Sequence, residues 1–497
     1  MAYKDLRGWL EKMDEMNELV RINGAHWNLE AGAVTALAGN RMVLFDEFPG
    51  YPPGYRVLAS SSRDKKERFF VTANWSTEAE GLALTRAWLD RLREFKPVPP
   101  KWVDSGPIKE NIIRGDDVDV LRFPVPIRHE KEAGRYIGTG HTVILKDPDT
   151  GRINLGTYRM QVHDGKTLGI HASEGKDGRI ILDRYKELGK PCPIVAMVGI
   201  DPATFFASIA HCVHLGDVTE LDFLGWLKGQ PEEIFAGEFT GLPILANAEI
   251  AIEGEIPPDK LRMEGPFAEW VGYCQPREFP FVNVKTIYHR NDPILTVALG
   301  EGSRPPGKAG LRSDFRTAAM IWDQMERAGV RGIKGVASNS RRLIVVSIKN
   351  MYAGQSRQAG LIASQCHAGA YGNAWVIVVD EDIDPNNTTD VLWAVLMRTE
   401  PKRALQVLEY CWASHLIIQD PSYVQKADYA MRPEKATYMS RVIIDACKPL
   451  EWAPSWHEDV HIKPELKVQA LKKWGDILGS GPTPGDRSVV GGGGGAV

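Results

Sequence analysis

The stretch "HTVILKDPDTGRINLGTYRMQVHDGKTLGIH", His141 to His171, constrains the fold more than any other part of the chain. Two β-rich runs flank Asp147-Pro148-Asp149-Thr150-Gly151, a sequence that turns a chain back on itself, so the spacing predicts an antiparallel hairpin. Further short strands follow at "PCPIVAMVGI", "LPILANAEIAIEGEI" and "FVNVKTIYHRNDPILTVAL". From about Phe123 the chain is therefore mostly β, and a barrel or sandwich suits it.

The flanks read differently. Apolar residues at helical spacing (Leu6, Leu10, Met13, Met16, Leu19) and the stronger pattern from Ser76 to Phe95 predict helices on either side of the apolar run Arg41 to Phe48. Pro-rich "KPVPPKW", Lys96 to Trp102, cannot continue a helix and reads as a linker closing a first α/β domain. After the loop "GEGSRPPGKAG", helices around 313–328, 356–370 and 388–397 alternate with the continuous apolar strands "RRLIVVSIK" and "AWVIVVDEDIDP". That alternation predicts a C-terminal α/β domain with buried strands. The tail "VVGGGGGAV" is expected to be flexible.

A chain of 497 residues is too long for one core and is expected to form several domains with room for a site between them. With 60 Lys+Arg against 64 Asp+Glu, a net charge of -4 and no basic cluster, nucleic acid is not expected as a partner. The six cysteines are scattered with no C-x-x-C pair, which argues against a zinc site or a disulfide framework and for reduced thiols in the cytoplasm. The N-terminus has no apolar signal core and no run approaches the length of a membrane span, so no membrane association is expected.

Within "RMEGPFAEWVGY", Arg262 to Tyr273, two carboxylates flank a Gly-Pro pair. Five residues apart, Glu264 and Glu269 would point apart on a strand or a helix, but Gly265 and Pro266 supply a bend, with Phe267 and Trp270 expected to drive it into a core. The residues alone admit two readings: solvated turn acids, or two acids in a dry place, where one must be paired or hold a proton.

The hairpin carrying "NLGTYRMQ", the turn "EGPFAEW" and the strand "VIVVDEDIDP" occur in that order within the three textures. Together they resemble the UbiD-like decarboxylases, over roughly residues 4 to 475. The resemblance implies an α+β / α/β multidomain chain: an N-terminal α/β domain (1–105), a central split β-barrel of flavin-reductase type holding cofactor and catalysis (106–305), a C-terminal α/β oligomerisation domain (306–475) and a flexible tail (476–497). It implies prenylated FMN as cofactor, supplied by a flavin prenyltransferase. It also implies Mn2+ (or Mg2+) and K+ at the cofactor phosphate, and assembly as a homodimer or homohexamer. The implied reaction is reversible loss of CO2 from an aromatic, heteroaromatic or α,β-unsaturated carboxylic acid.

Position by position, the resemblance assigns Arg159, Glu264 and Glu269 to a catalytic network. Arg159 and Glu264 would orient the substrate carboxylate, and Glu269 would donate the proton. Asn154, His171 and Glu220 are implied as metal ligands, an amide oxygen, an imidazole and a carboxylate that suit a hard cation. Cofactor contacts are implied for Asn154, Gly156, Thr157, Tyr158, Arg159, Gln161, His211, Cys212 and Glu220. Without the family, a lone histidine such as His171 after an apolar strand reads as a packed structural residue rather than a ligand. His211 and His214 in "FASIAHCVHLGD" depart from the small residues and prolines expected there; they either shape substrate choice, add an acid/base group, or are buried, hydrogen-bonded histidines, the reading favoured here. The lysine expected at the cofactor phosphate from the C-terminal half has no match, because "GNAWVIVV" offers Trp375 in its place. The competing readings are an ordinary FMN-binding reductase, which has no need of the Glu-Arg-Glu trio, and a non-catalytic subunit of a carboxylase complex, which should lack it.

Overall fold

The computed structural model describes residues 3–478, apart from 60–64, 211–217, 270–271, 275, 299–312, 340–341, 414–437, 458–459 and 461. The N-terminal helices form within the predicted stretches, with one correction: Leu19, expected on the first helix, opens strand Leu19–Asn23 instead, because the helix ends at Glu15 and Asn17, at φ 56°, turns the chain out of it. Helix Leu6–Glu15 is capped by Asp5, whose side chain accepts from Gly8 N, and buries Leu6, Trp9, Leu10 and Met13. Helix Gly81–Arg93 buries Leu84, Thr85, Trp88 and Leu89 along one stripe.

The sheet beside them runs Leu19–Asn23, Met42–Glu47, Arg56–Ala59 and Ile294–Val297. Its last strand comes from the far end of the β-rich region and pairs in parallel with Arg56–Ala59, Ile294 opposite Arg56. All four of its residues are buried, as a parallel strand covered on both faces requires.

The predicted hairpin is present: Thr142–Lys146 pairs antiparallel with Ile153–Gly156 around the Asp-Pro-Asp-Thr-Gly turn. It belongs to a ten-stranded sheet whose main path runs Tyr136–Gly138, Met160–Asp164, Thr167–Gly169, Arg277–His289, Ile250–Ile256, Cys192–Gly199, Thr142–Lys146, Ile153–Gly156. Strands Leu261–Glu264 and Asn111–Arg114 add to the long strand Arg277–His289. Met160–Asp164 stands second in this order and Ile153–Gly156 last, yet only Thr157, Tyr158 and Arg159 separate them in the chain. The four steps from Gly156 to Met160 span about 14 Å at most, so the sheet has to curl until its two ends nearly meet. The result is a curled antiparallel half-barrel, with Thr157–Arg159 at its seam. Val143, Leu145, Val162, Leu168, Ile252 and Ile287 pack with Phe45, Val57, Leu295 and Val297 of the N-terminal sheet in one core cluster, which accounts for the borrowed strand.

The C-terminal sheet runs Ile333–Asn339, Leu343–Ile348, Trp375–Asp380, Tyr438–Ala446, Leu405–Trp412, parallel at the centre and antiparallel at both edges. Helices Phe315–Arg327, Gln355–Gln365 and Thr388–Arg398 alternate with its strands as expected. In "DEDIDP", Asp382 takes two hydrogen bonds from buried Arg398, at 2.9 and 2.7 Å, tying the strand end to the helix that follows. The three sheets share one contiguous unit, Met1–Cys447. The second unit begins at Lys448 and contains a 3-10 helix, Leu450–Ser455, and a helix, Pro464–Leu478. Among the described residues no helix is long and apolar enough to cross a membrane. The glycine-rich tail and the whole of the loop "GEGSRPPGKAG" lie outside the described residues.

Candidate active site

The seam is built around Tyr158. Its hydroxyl donates to Asn154 Oδ1 (2.9 Å) and accepts from Gly178 N (2.8 Å), so the ring folds back between strand Ile153–Gly156 and helix Asp177–Glu187. Two glycines make room for it. A Cβ on Gly156 would stand 2.4 Å from Tyr158 Oη, and one on Gly178 2.3 Å from Cζ, distances no side chain tolerates. Thr157 Oγ1 meets the His141 carbonyl (3.0 Å) and Ser208 Oγ (2.7 Å). His141 is fully buried with Nε2 on the Tyr158 carbonyl at 3.0 Å, and burial pulls its pKa down to about 4. It is therefore a neutral structural prop, donating from Nε2.

The next residue, Arg159, turns inward and gathers both acids of the Gly-Pro turn. Its Nε donates to Glu264 Oε1 at 2.9 Å and Nη2 to Oε2 at 2.7 Å, a side-on pair, while Nη1 donates to Glu269 Oε1. The turn that brings them together contains Gly265 at φ 92° and a cis Gly265–Pro266 bond, between strand Leu261–Glu264 and the short pair Ala268–Glu269 and Gly272–Tyr273. Gln161 Oε1 accepts from Gly265 N at 3.1 Å, so Gln161, expected at the cofactor, supports the turn from behind the cavity wall. Phe267 is buried as predicted. Its ring lies 4.3 Å from the Arg159 guanidinium carbon and 4.5 Å from that of Arg128, and packs on Tyr136 at 4.4 Å. Trp270 lies outside the described residues.

The two acids differ in surroundings. Burial works to raise the Glu264 pKa, but hydrogen bonds from His171 and Arg159 and the guanidinium charge outweigh it and pull it down to about 2. Glu264 is a fixed carboxylate, its side chain 2 % exposed, and does not line the cavity. Glu269, 17 % exposed, does. Burial opposes the charge on Arg159 as well, and the two carboxylates more than offset it.

His171 links this network to the expected metal ligands. Its Nδ1 is 2.9 Å from Arg159 Nη2 and 3.3 Å from Glu264 Oε2, and its ring packs on Phe279 at 4.1 Å. Nδ1 either accepts from Arg159 or donates to Glu264, not both; the tautomer that donates to Glu264 leaves a lone pair on Nε2, and a cation on Nε2 would select it. Glu220 opens helix Glu220–Lys228 behind a Thr219/Asp222 capping box, and its Oε2 accepts from Leu155 N at 3.2 Å. Burial raises its pKa to about 7 against the pull of those backbone hydrogen bonds. A buried carboxylate in that state is one that a cation would relieve. Asn154, His171 and Glu220 all line one cavity of about 760 Å3, together with Gly156, Thr157, Tyr158, Arg159 and Glu269. Among the described residues no three His, Cys, Asp or Glu side chains cluster as a metal site by themselves, so the set depends on the amide oxygen of Asn154. His211, Cys212 and His214 lie outside the described residues.

The sequence reading missed Ser208, Arg128, Lys176 and Asn373 on the cavity wall. They come from distant segments and carry no local motif.

Residues 101–303 match the family model for the 3-octaprenyl-4-hydroxybenzoate carboxy-lyase Rift-related domain, and residues 314–446 that for the C-terminal domain of the same carboxy-lyases. The chain is 29% identical to a phenolic acid decarboxylase of Bacillus subtilis over 90% of its own length and 93% of the relative's. It is 27% identical to a pyrrole-2-carboxylic acid decarboxylase of Pseudomonas aeruginosa over 80% and 83%. Among solved structures it resembles an evolved dimeric form of the UbiD-class enzyme HmfF from Pelotomaculum thermopropionicum in complex with prFMN. That match has a TM-score of 0.74 and 26% identity, over 95% of this chain and 100% of that one. With both family domains matched in order and the half-barrel carrying the site at its seam, the chain belongs to the UbiD family of carboxy-lyases.

Proposed function

We propose that this chain catalyses the reversible, non-oxidative decarboxylation of an aromatic, heteroaromatic or α,β-unsaturated carboxylic acid with prenylated FMN as cofactor. The observation that carries the reading is the division of Arg159 between two acids: Glu264 holds Nε and Nη2 behind the wall, and Glu269 meets Nη1 on the cavity side.

A carbon losing CO2 keeps the bonding electron pair, and prenylated FMN, when bound, supplies the electron sink for it. The protein's part is orientation and proton delivery. As a carboxylate, Glu269 occupies Nη1. When it takes a proton the ion pair weakens and Nη1 becomes available to a substrate carboxylate. One proton thus prepares both the acid and the anchor. After CO2 leaves, the Glu269 proton passes to the vacated carbon and the restored carboxylate returns to Arg159. Glu264, held as an anion, keeps Arg159 in place throughout.

Asn154, His171 and Glu220 would hold a Mn2+ or Mg2+ ion, which supplies positive charge at the cofactor phosphate, with K+ as a second cation. Their hard donors and the unrelieved burial of Glu220 support this. The cavity falls within the usual range for small-molecule sites, about 300–1,000 Å3. Assembly at least as a dimer is part of the proposal. Helix Thr388–Arg398 exposes Leu392, Trp393, Leu396 and Met397, and the HmfF relative occurs in a dimeric form.

The test is CO2 release from a panel of hydroxybenzoates, heteroaromatic acids and acrylic acids by protein loaded with prenylated FMN. At least one class should release CO2, and its product should exchange with bicarbonate in the reverse assay. No release from any class by fully loaded protein would contradict the reading.

A further inference from the structure

The flavin reading leaves the phosphate without the lysine expected from the C-terminal half, and the cavity wall offers another solution. Lys176 lines the cavity at the start of helix Asp177–Glu187, five residues after His171. Its segment is gripped by aromatics from the far side of the cavity. Tyr371 Oη donates to Ser173 Oγ at 3.3 Å, Trp412 Nε1 donates to the Glu174 carbonyl at 2.8 Å, and Lys176 Nζ stands 3.9 Å from the Tyr371 ring centroid. Gly175 lies at φ 77°, and a Cβ there would come within 2.6 Å of Trp412 Nε1, so the indole is seated directly on the loop.

Asn373 follows Tyr371 by two residues and lines the same cavity. It is 1 % exposed; Oδ1 accepts from Trp375 N at 3.0 Å, while Nδ2 is a buried donor with no hydrogen-bond partner among the described residues. Buried polar groups are rarely left unpaired, and an unmet donor beside a cavity calls for an acceptor from a ligand.

We propose that Lys176 and Asn373 together hold the phosphate of the flavin mononucleotide, Lys176 through its charge and Asn373 through Nδ2. The inference rests on the flavin reading above. Arg159 and Glu269 take the reacting end of the cavity, so the phosphate belongs where the helix presents its positive terminus. Asp177 and Glu220 also line the cavity, so a dianion is held there only with cations beside it. Lys176 is one, contributed by the chain itself, and the ion on Asn154, His171 and Glu220 is the other.

FMN and riboflavin differ only in the phosphate, so their dissociation constants, measured by flavin fluorescence on the full chain with Mn2+ present, isolate it. Wild-type protein should prefer FMN by about a hundredfold or more. Lys176→Met and Asn373→Asp should each weaken FMN by about tenfold or more and leave riboflavin unchanged, with Lys176→Arg retaining most of the preference. Unchanged riboflavin binding also shows that the variants are folded. If wild-type prefers FMN and both variants keep the full preference, the phosphate assignment is overturned. If wild-type does not distinguish the two flavins, the mononucleotide reading fails and the assignment with it.

Discussion

Arg159 and Glu264 share two hydrogen bonds side-on, at 2.9 and 2.7 Å, and that pair is the fixed half of the proposed catalytic network. Glu264→Gln keeps the shape but offers a single neutral acceptor to a buried guanidinium. Both binding and rate should suffer: KM rises and kcat falls, with kcat/KM lower by about a hundredfold or more, since misplacing an orienting group by 1 Å can cost about that factor. Steady-state kinetics on the best acid of the panel measures this. A loss confined to kcat would contradict the orienting role.

Glu220→Gln should weaken metal retention and FMN loading together, because the ion and the phosphate would neutralise one another. Metal content by elemental analysis and flavin content by absorbance should fall in parallel. Full flavin occupancy in metal-free variant protein would sink the link between them.

The buried His141 gives a pH dependence of stability with a definite sign. Its pKa is depressed to about 4 in the folded chain, against about 6.5 unfolded, so below pH 6.5 the unfolded chain takes up the proton first. Its contribution is intact above pH 6.5 and is lost as pH falls toward 4, the loss amounting to about 2.5 kcal/mol by pH 4.5. Wild-type protein should therefore lose about that much more stability between pH 7 and 4.5 than His141→Gln, read from denaturant unfolding at both pH values. Equal losses would contradict a neutral buried His141.

Lys228 is a stability test remote from the chemistry. Its Nζ, buried, pairs with Asp201 at 3.0 Å and Glu232 at 2.6 Å, and Asp201 also caps helix Pro202–Ile209, which carries the cavity residues Phe206 and Ser208. Lys228→Met leaves two buried carboxylates facing each other and should cost about 3–5 kcal/mol in chemical denaturation. A cost below about 1 kcal/mol would show that the acids find water or protons cheaply.

The parts of this site that were legible in the sequence are those set by local chemistry. Asp147-Pro148-Asp149-Thr150-Gly151 specifies a turn, and the hairpin formed around it. Gly265 and Pro266 specify a bend, and Glu264 and Glu269 do converge across it. The position of Ile294–Val297 was not legible, because a short apolar run says that a strand is buried but not beside which neighbour; its parallel partner is 238 residues earlier at Arg56. Lys176 and Asn373 were hidden for the same reason: they meet one cavity from segments about 200 residues apart, and only long-range packing joins them. Gln161 shows the converse. Its place in "NLGTYRMQ" suggested the cofactor, but its side chain is taken up by the backbone of the Gly265 turn.

The central claim is that Glu269 carries the proton, and exchange at the decarboxylated carbon of the product in D2O, followed by NMR on protein loaded with prenylated FMN, tests it most directly. This reverses the protonation step without requiring CO2. Glu269→Gln should bind FMN as wild-type does and exchange deuterium about 10² to 10⁴ times more slowly, the usual worth of a positioned acid. Exchange at the wild-type rate by fully loaded Glu269→Gln would contradict the account and assign the proton to another group.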